Sequence, residues 1–341
     1  MRATRLVPLF AVTAASALAL AGCATAAGSS SSAGSADATG DAVQVVASTN
    51  VYGQIVEEIG GDAVAVTSIV SSAAQDPHSY EPSAQDTLAI SNAELIVENG
   101  GGYDSFIDAL IESSGSAAHV ITAVEFSHDY PGAEAHSDDH SEEGAADAAA
   151  EEEHAHEEGE HDHAHIEGFN EHVWYDPHTM AYVAEAVADE LSELRPEEAD
   201  TFAANLDAFT GEIEGVEDSL GAIAADQQGA HVFVTEPVPV YLAAAAGLEN
   251  VTPEAFSEAV EEGQDVPPAT LLESLDLLRA DDVRVVITNT QTGGAETEQI
   301  VSEADSLSIP VIAFSETLPE GETYISWMQA NITALSDALA E

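Results

Sequence analysis

Lysine is absent from this 341-residue chain, and five arginines, Arg2, Arg5, Arg195, Arg279 and Arg284, face 64 acidic residues. The formal net charge of −59 repels phosphate backbones and excludes nucleic acid as a partner. The same charge attracts cations in general, but an acidic proteome or adaptation to salt produces an equally acidic surface. Acidity alone therefore defines no site. Cysteine occurs once, at Cys23, so no disulfide can form within the chain. The uncharged run Leu6 to Leu20 is too short for a comfortable transmembrane helix. Neither a Gly-x-Ser-x-Gly elbow nor a His-Glu-x-x-His pair is present, which removes two common hydrolase signatures.

The N-terminus carries an address. Arg2 and Arg5 precede the apolar run, and Leu20-Ala21-Gly22-Cys23 follows it. Residues 1–22 read as an export signal, and the Leu-Ala-Gly-Cys end resembles a bacterial lipobox, in which Cys23 becomes the lipidated first residue. Residues 23–42, rich in Ser, Ala and Gly, read as a flexible tether. The expected location is extracytoplasmic, held at the cell membrane by an N-terminal lipid.

Two stretches carry chemistry: Asp76-Pro77-His78-Ser79-Tyr80-Glu81-Pro82 and Glu171-His172-Val173-Trp174-Tyr175-Asp176-Pro177. Each sets one imidazole among acids and prolines. Imidazole is the commonest metal ligand near neutral pH, and proline stiffens the loop that aims it. Metal capture is the chemistry these stretches imply. His119 and His231, ahead of strand-like runs, read as structural or surface residues, and His178 as part of a helix start.

Short β-rich runs alternate with helix-length segments. Strands are expected at Val43–Ser48, Val64–Val70, Leu95–Glu98, Val120–Ala123, Val232–Thr235, Val283–Thr288 and Pro310–Phe314. Helices are expected at Val51–Ile59, Ser83–Ser91, Tyr103–Ser113, Thr179–Leu194, Pro268–Leu278 and Ala295–Ala304. This alternation argues for an α/β chain with two lobes built on parallel sheets. In the middle, Phe202, Leu206, Phe209, Ile213, Val216, Leu220 and Ile223 recur at spacings of four and three, one apolar stripe on a helix of about 29 residues, or about 44 Å. The stripe fits a coiled-coil dimer seam or a strut packed along both lobes of one chain; the flanking α/β segments favour the strut. The expected division is an N-terminal lobe at 43–196, a linking backbone helix at 197–226 and a C-terminal lobe at 227–341, in a monomer.

These residues carry a family resemblance. Gln75 to Pro82, followed by Ala93-Glu94-Leu95-Ile96-Val97-Glu98-Asn99-Gly100, resembles the first metal-ligand block of the ZnuA/TroA/PsaA type of metal-binding lipoprotein, and Glu171 to Pro177 resembles the second. The resemblance covers the chain from Val43 to its C-terminus. It implies the solute receptor of a zinc or manganese ABC importer, with two α/β lobes joined by one long helix and the metal in the cleft between them. It implies metal ligation by His78, His172, Glu236 (after the strand Val232–Thr235, with Tyr241 five residues on) and Glu316. At the last position the family more often has Asp. Two neutral imidazoles and two carboxylates would balance a divalent cation. The cargo expected is Zn(II), with Mn(II) the runner-up, and the expected partners are an ABC permease and its ATPase subunit. No enzyme is expected. A surface zinc buffer or adhesin using the same site, and a metallohydrolase, are the competing readings.

The segment 128–167 holds His128, His136, His140, His154, His156, His161, His163 and His165 among many acids, with few large apolar residues. It cannot bury enough surface to offset ordering entropy, and reads as a disordered auxiliary metal-binding loop.

Overall fold

The computed structural model describes residues 42–131, 166, 168–280 and 282–340. The signal segment, Cys23, the tether and the loop histidines His136, His140, His154, His156, His161, His163 and His165 lie outside the described residues. Among the described residues, no helix is long and apolar enough to cross a membrane.

The chain builds one architecture twice. In the first lobe, β1 (Val43–Thr49), β2 (Val64–Val70), β3 (Leu95–Glu98) and β4 (His119–Thr122) form a parallel sheet in the order β2-β1-β3-β4. In the second, β5 (His231–Val234), β6 (Glu249–Asn250), β7 (Val283–Asn289) and β8 (Val311–Phe314) form a parallel sheet in the matching order β6-β5-β7-β8. Helices α1 (Asn50–Gly60), α2 (Ala84–Asn92) and α3 (Phe106–Ser114) cross over between the strands of the first sheet. In the second lobe the connections contain α6 (Val240–Ala245), α7 (Glu254–Glu261), α8 (Pro268–Arg279) and α9 (Ala295–Leu307). The fold is α/β with two lobes, as the alternating pattern implies. The order reverses at β1 and β5, and open α/β sheets bind ligands beyond the carboxyl ends of their strands at such points.

Helix α4 (Pro177–Leu194) leads into α5 (Ala199–Gln227), and α10 (Tyr324–Ala340) ends the described chain. The stripe on α5 is buried at Phe202, Phe209, Ile213, Val216, Leu220 and Ile223, with Leu206 partly covered. Its cover comes from α1, α4, α6 and α10 of the same chain, so the strut satisfies the periodicity without a dimer seam. One apolar cluster runs from Val43 and Tyr52 through the α5 stripe to Phe314 and Trp327. Smaller clusters sit on the far faces of each sheet, around Ile96 and Phe106 in one lobe and Phe233 and Phe256 in the other.

Candidate metal centre

The loop carrying His78 is held by its own side chains. Asp76 Oδ1 accepts from the His78 backbone N–H at 2.9 Å, and Asp76 Oδ2 accepts from the Ser79 hydroxyl at 2.8 Å. Five residues further, Ser83 and Asp86 form a reciprocal capping box that starts α2, with the Ser83 N–H donating to Asp86 Oδ2 at 2.6 Å. The Tyr80 hydroxyl donates to the same carboxylate at 3.0 Å. The stiffness expected of Asp-Pro-His therefore comes as much from an Asx turn as from proline.

His172 is fully buried and its tautomer is set. Its Nδ1–H donates to Asn170 Oδ1 at 2.7 Å, while Asn170 Nδ2 donates to the Pro237 carbonyl at 3.0 Å, which fixes the amide orientation. Nε2 then carries the lone pair, aimed into the cleft. The Tyr241 hydroxyl donates to the Asn170 carbonyl at 2.8 Å, so second-lobe residues on both sides of Val240 steady a first-lobe ligand candidate. Asp176 caps α4 through the His178 N–H and the Thr179 hydroxyl, with Pro177 in the first turn.

Turns at the ends of β3 and β7 do matching work. After β3, Gly100 takes φ +78°, and a Cβ there would lie 2.4 Å from Thr122 Cγ2. That turn lets Asn99 Nδ2 donate to the Glu171 carbonyl at 3.0 Å and brings Tyr103 over the cleft. At the end of β7, Asn289 Nδ2 lies 2.9 Å from Glu236 Oε2 and 2.6 Å from Glu316 Oε1, bridging the two carboxylates. Gln291 Oε1 accepts from the Glu316 and Thr317 N–H groups at 2.8 and 3.0 Å, and its Nε2 donates to the Gln75 carbonyl of the other lobe at 3.2 Å. The Tyr103 hydroxyl donates to Glu316 Oε2 at 3.2 Å, also across the cleft.

His78, His172 and Glu316 each present a ligand atom, all within 4.8 Å of one another. Glu236 stands beside this trio, tied to Glu316 through Asn289, but is not one of the group; its Oε1 is buried and without a hydrogen-bond partner. His78, Glu171 and Glu261 form a second such group within the same 4.8 Å limit. His119, His178 and His231 pair instead with Glu190, Glu217 and Glu249, and His128 lies near Asp129 and Asp176.

Burial crowds these acids. Desolvation pushes the Glu316 carboxyl up to about 7, with the Asn289 hydrogen bond opposing and the Glu236 charge adding to the rise. Glu236 is raised mainly by burial, against hydrogen bonding from Thr292 and Asn289. Glu261 is pushed to about 9 by burial first, then by the charges of Glu171, Glu236 and Glu316. Crowded, buried carboxylates of this kind take up protons or a cation.

Glu261, Asn289, Asn170 and Tyr103 carry no motif and are not among the site residues expected from the sequence. One signal was available: both sheets place an asparagine at or just after their third strand, Asn99 and Asn289, and the repeated strand order makes these positions equivalent.

The fold and the facing imidazoles and carboxylates define a two-lobed receptor class with a cation-suited cleft. Residues 45–338 match the family described as zinc-uptake complex component A, periplasmic, and the chain belongs to that family. Among curated proteins, the chain is 25% identical over 309 residues to the manganese-binding lipoprotein MntA of Halalkalibacterium halodurans, covering 88% of this chain and 90% of the relative. It is 25% identical over 289 residues to the zinc-binding lipoprotein AdcA of Streptococcus pneumoniae, covering 83% of this chain but 53% of that longer relative. The manganese ABC transporter substrate-binding lipoprotein PsaA of S. pneumoniae is 22% identical over 314 residues, covering 88% of this chain and 90% of PsaA. In fold, the chain is similar to a crystal structure of ZnuA with a TM-score of 0.65 at 22% identity, covering 88% of this chain and all of that one. These curated relatives are thus lipoproteins named for zinc or manganese, and PsaA is named as the substrate-binding lipoprotein of an ABC transporter.

Proposed function

We propose that this chain is the extracytoplasmic solute-binding lipoprotein of an ABC importer, capturing a divalent transition ion in the cleft and delivering it to a membrane permease and its ATPase. The observation that carries this is the convergence of His78, His172 and Glu316 from both lobes within 4.8 Å. The ion is the substrate, and the protein carries out no catalysis. His78 and His172 supply nitrogen, Glu316 supplies oxygen, and Glu236 adds a second carboxylate from beside the trio. Cys23 carries the lipid that holds the protein at the membrane, and the chain works as a monomer.

Zn(II) is the cargo in this reading. Asn289 occupies one oxygen of Glu236 and one of Glu316, which favours one metal-binding oxygen from each acid. Two nitrogens and two oxygens suit tetrahedral Zn(II), whereas Mn(II) prefers six oxygen-rich donors. The relative MntA, named for manganese, makes Mn(II) the runner-up.

Zinc affinity of His78→Ala and His172→Ala tests the site. Losing a nitrogen that binds the ion directly should cost more than the roughly 10–100-fold that follows loss of a partner behind a ligand, so each variant binds more than about a hundredfold less tightly. Wild-type affinity in both would overturn the reading. Cells lacking the protein should stop growing under zinc chelation and recover with zinc; rescue by manganese alone would reverse the choice of ion.

A further inference from the structure

Glu261 is the last residue of α7, which ends at the mouth of the cleft. A cavity of about 690 Å³ opens there, lined by Asp76, His78 and Ser79 from one lobe and Glu261 and Thr292 from the other. The carboxylate points inward: Glu261 Oε1 is buried, accepts no hydrogen bond, and lies 3.5 Å from His172 Nε2. With the His172 proton on Nδ1, an ionised Glu261 faces Nε2 as a second acceptor. Between them belongs either a proton, which burial keeps on Glu261 in the metal-free protein, or a cation that displaces it.

The distance itself is informative. Bonds of 2.0–2.2 Å from a tetrahedral centre set neighbouring ligand atoms about 3.3–3.6 Å apart. The 3.5 Å between Glu261 Oε1 and His172 Nε2 is the edge of such a tetrahedron. Glu261 also lies within 4.8 Å of the His78 ligand atom, in the group that includes Glu171. It thus stands beside both imidazoles, 3.5 Å from His172 and grouped with His78, but outside the trio itself. Its position at a helix C-terminus adds a third point, since the negative end of the helix disfavours an anion and favours a cation.

We propose that Glu261 is a direct ligand of the captured ion, binding through Oε1 from the mouth side as the fourth donor, in exchange with Glu236, and linking the cavity to the inner trio. This rests on the reading of the cleft as a metal site. An ion entering through the cavity meets Glu261, Glu171 and His78 first, then moves to His78, His172 and Glu316 with Glu261 still attached. The α7 end, from the second lobe, is in this way drawn onto a first-lobe histidine by the cargo itself.

The test uses the full chain, loaded with less than one equivalent of Co(II) so that the tightest site fills first, with Zn(II) affinity measured by chelator competition. Glu261→Gln keeps the shape and removes the anionic donor; Glu258→Gln, exposed on the same helix and outside the cavity lining, removes the same charge without reaching the cleft. Glu261→Gln should weaken Zn(II) at least tenfold and alter the visible Co(II) bands, while Glu258→Gln stays within threefold with bands unchanged. Wild-type affinity and bands in Glu261→Gln would overturn the inference, as would equal weakening of both variants with wild-type bands, which is the mark of general charge. A lower melting temperature of metal-free Glu261→Gln with unchanged bands would make the residue structural and also overturn it. His172→Ala separates the two levels: if it loses affinity while Glu261→Gln does not, only the role of Glu261 fails, and if it keeps affinity the reading of the cleft fails.

Discussion

Removing the side chain of Asn289 isolates the hinge of the proposed site. Its Nδ2 donates at 2.6 Å to Glu316 and 2.9 Å to Glu236, from a residue that is itself buried. Hydrogen bonds to charged groups contribute about 1.5–3 kcal/mol each, but water entering the shortened site would recover part of that. Loss of a partner behind metal ligands costs about 10–100-fold in affinity, which sets the expected drop for Asn289→Ala. The pH dependence is the sharper readout. A carboxylate must be ionised to ligate, and Glu316 sits at about 7, with the Asn289 bond holding it down. Counted for Glu316 alone, and beside a share from Glu261 common to both proteins, proton competition weakens binding about 2-fold between pH 8 and pH 7. If Asn289→Ala raises Glu316 by one unit, that same interval becomes about 5-fold. Comparison with wild type at each pH assigns the change to the carboxylates that Asn289 contacts. Competition with a chromogenic chelator at pH 7, 8 and 9 gives both numbers, with Thr290→Ala at the exposed neighbour as reference. Wild-type affinity with a wild-type pH profile would refute the idea that Asn289 positions these acids.

The metal-free protein should lose stability as pH rises. Burial lifts Glu98 to about 8 and Asp104 to about 6, so the folded state keeps protons that the unfolded chain has already released. The stabilisation is complete below the ordinary carboxylate range and fades as pH climbs through those values, at up to about 1.4 kcal/mol per pH unit per proton held; urea midpoints that stay flat or rise from pH 5 to pH 8 would contradict this. On the strut α5, Gly211, Gly215 and Gly221 face open space, so alanine at each should add about 0.5–1 kcal/mol without touching metal affinity; denaturant midpoints check it, and a loss would mean the glycines have contacts outside the described residues. Tyr103→Phe removes the hydroxyl that reaches Glu316 at 3.2 Å and should weaken zinc by about 1 kcal/mol, read by the same competition titration; an unchanged affinity would leave that cross-cleft bond without a role.

Strands were legible because each is a short run of β-branched residues ended by turn residues, and β1 to β5, β7 and β8 lie within a residue or two of expectation. Two-residue β6 and the short helices α6 and α7 were not, since so few residues carry no period. Helix α10 is a different case: Tyr324, Trp327, Met328, Ile332, Leu335 and Leu339 form a readable stripe that lies beyond the last expected strand. The strut was legible for the same reason that α10 could have been. In the site, His78 and His172 stand out because proline, aspartate and aromatic residues surround each one locally. The order of the carboxylates did not: resemblance suggests Glu236 more readily than Glu316, yet Glu316 joins the histidines and Glu236 stands beside them. That inversion follows from Asn289, an amide with no signature until the second sheet brings its strand between them. Glu261 reaches the cleft only through the packing of α7, which no local pattern records.

The absence of lysine bears on the cleft as well as on the surface. Glu171, Glu236, Glu261 and Glu316 are withdrawn from water together, and the leading influences on Glu236, Glu261 and Glu316 are burial, one another and neutral hydrogen bonds, with no arginine among them. Arg279 pairs with Asp276 and Glu303, and Arg284 donates to the Leu339 carbonyl. Burying like charges without a counter-ion is costly, and a lysine in the cleft would remove that cost permanently. It would also remove the demand for a cation. The remaining ties between the lobes near the site are neutral: Asn50 with Leu318, Gln54 with Tyr324, Gln291 with Gln75. Such bonds exchange with water at little net cost. In the proposed receptor the charge that favours closure is therefore supplied by the cargo, and in the metal-free cleft protons on the raised carboxyls take its place.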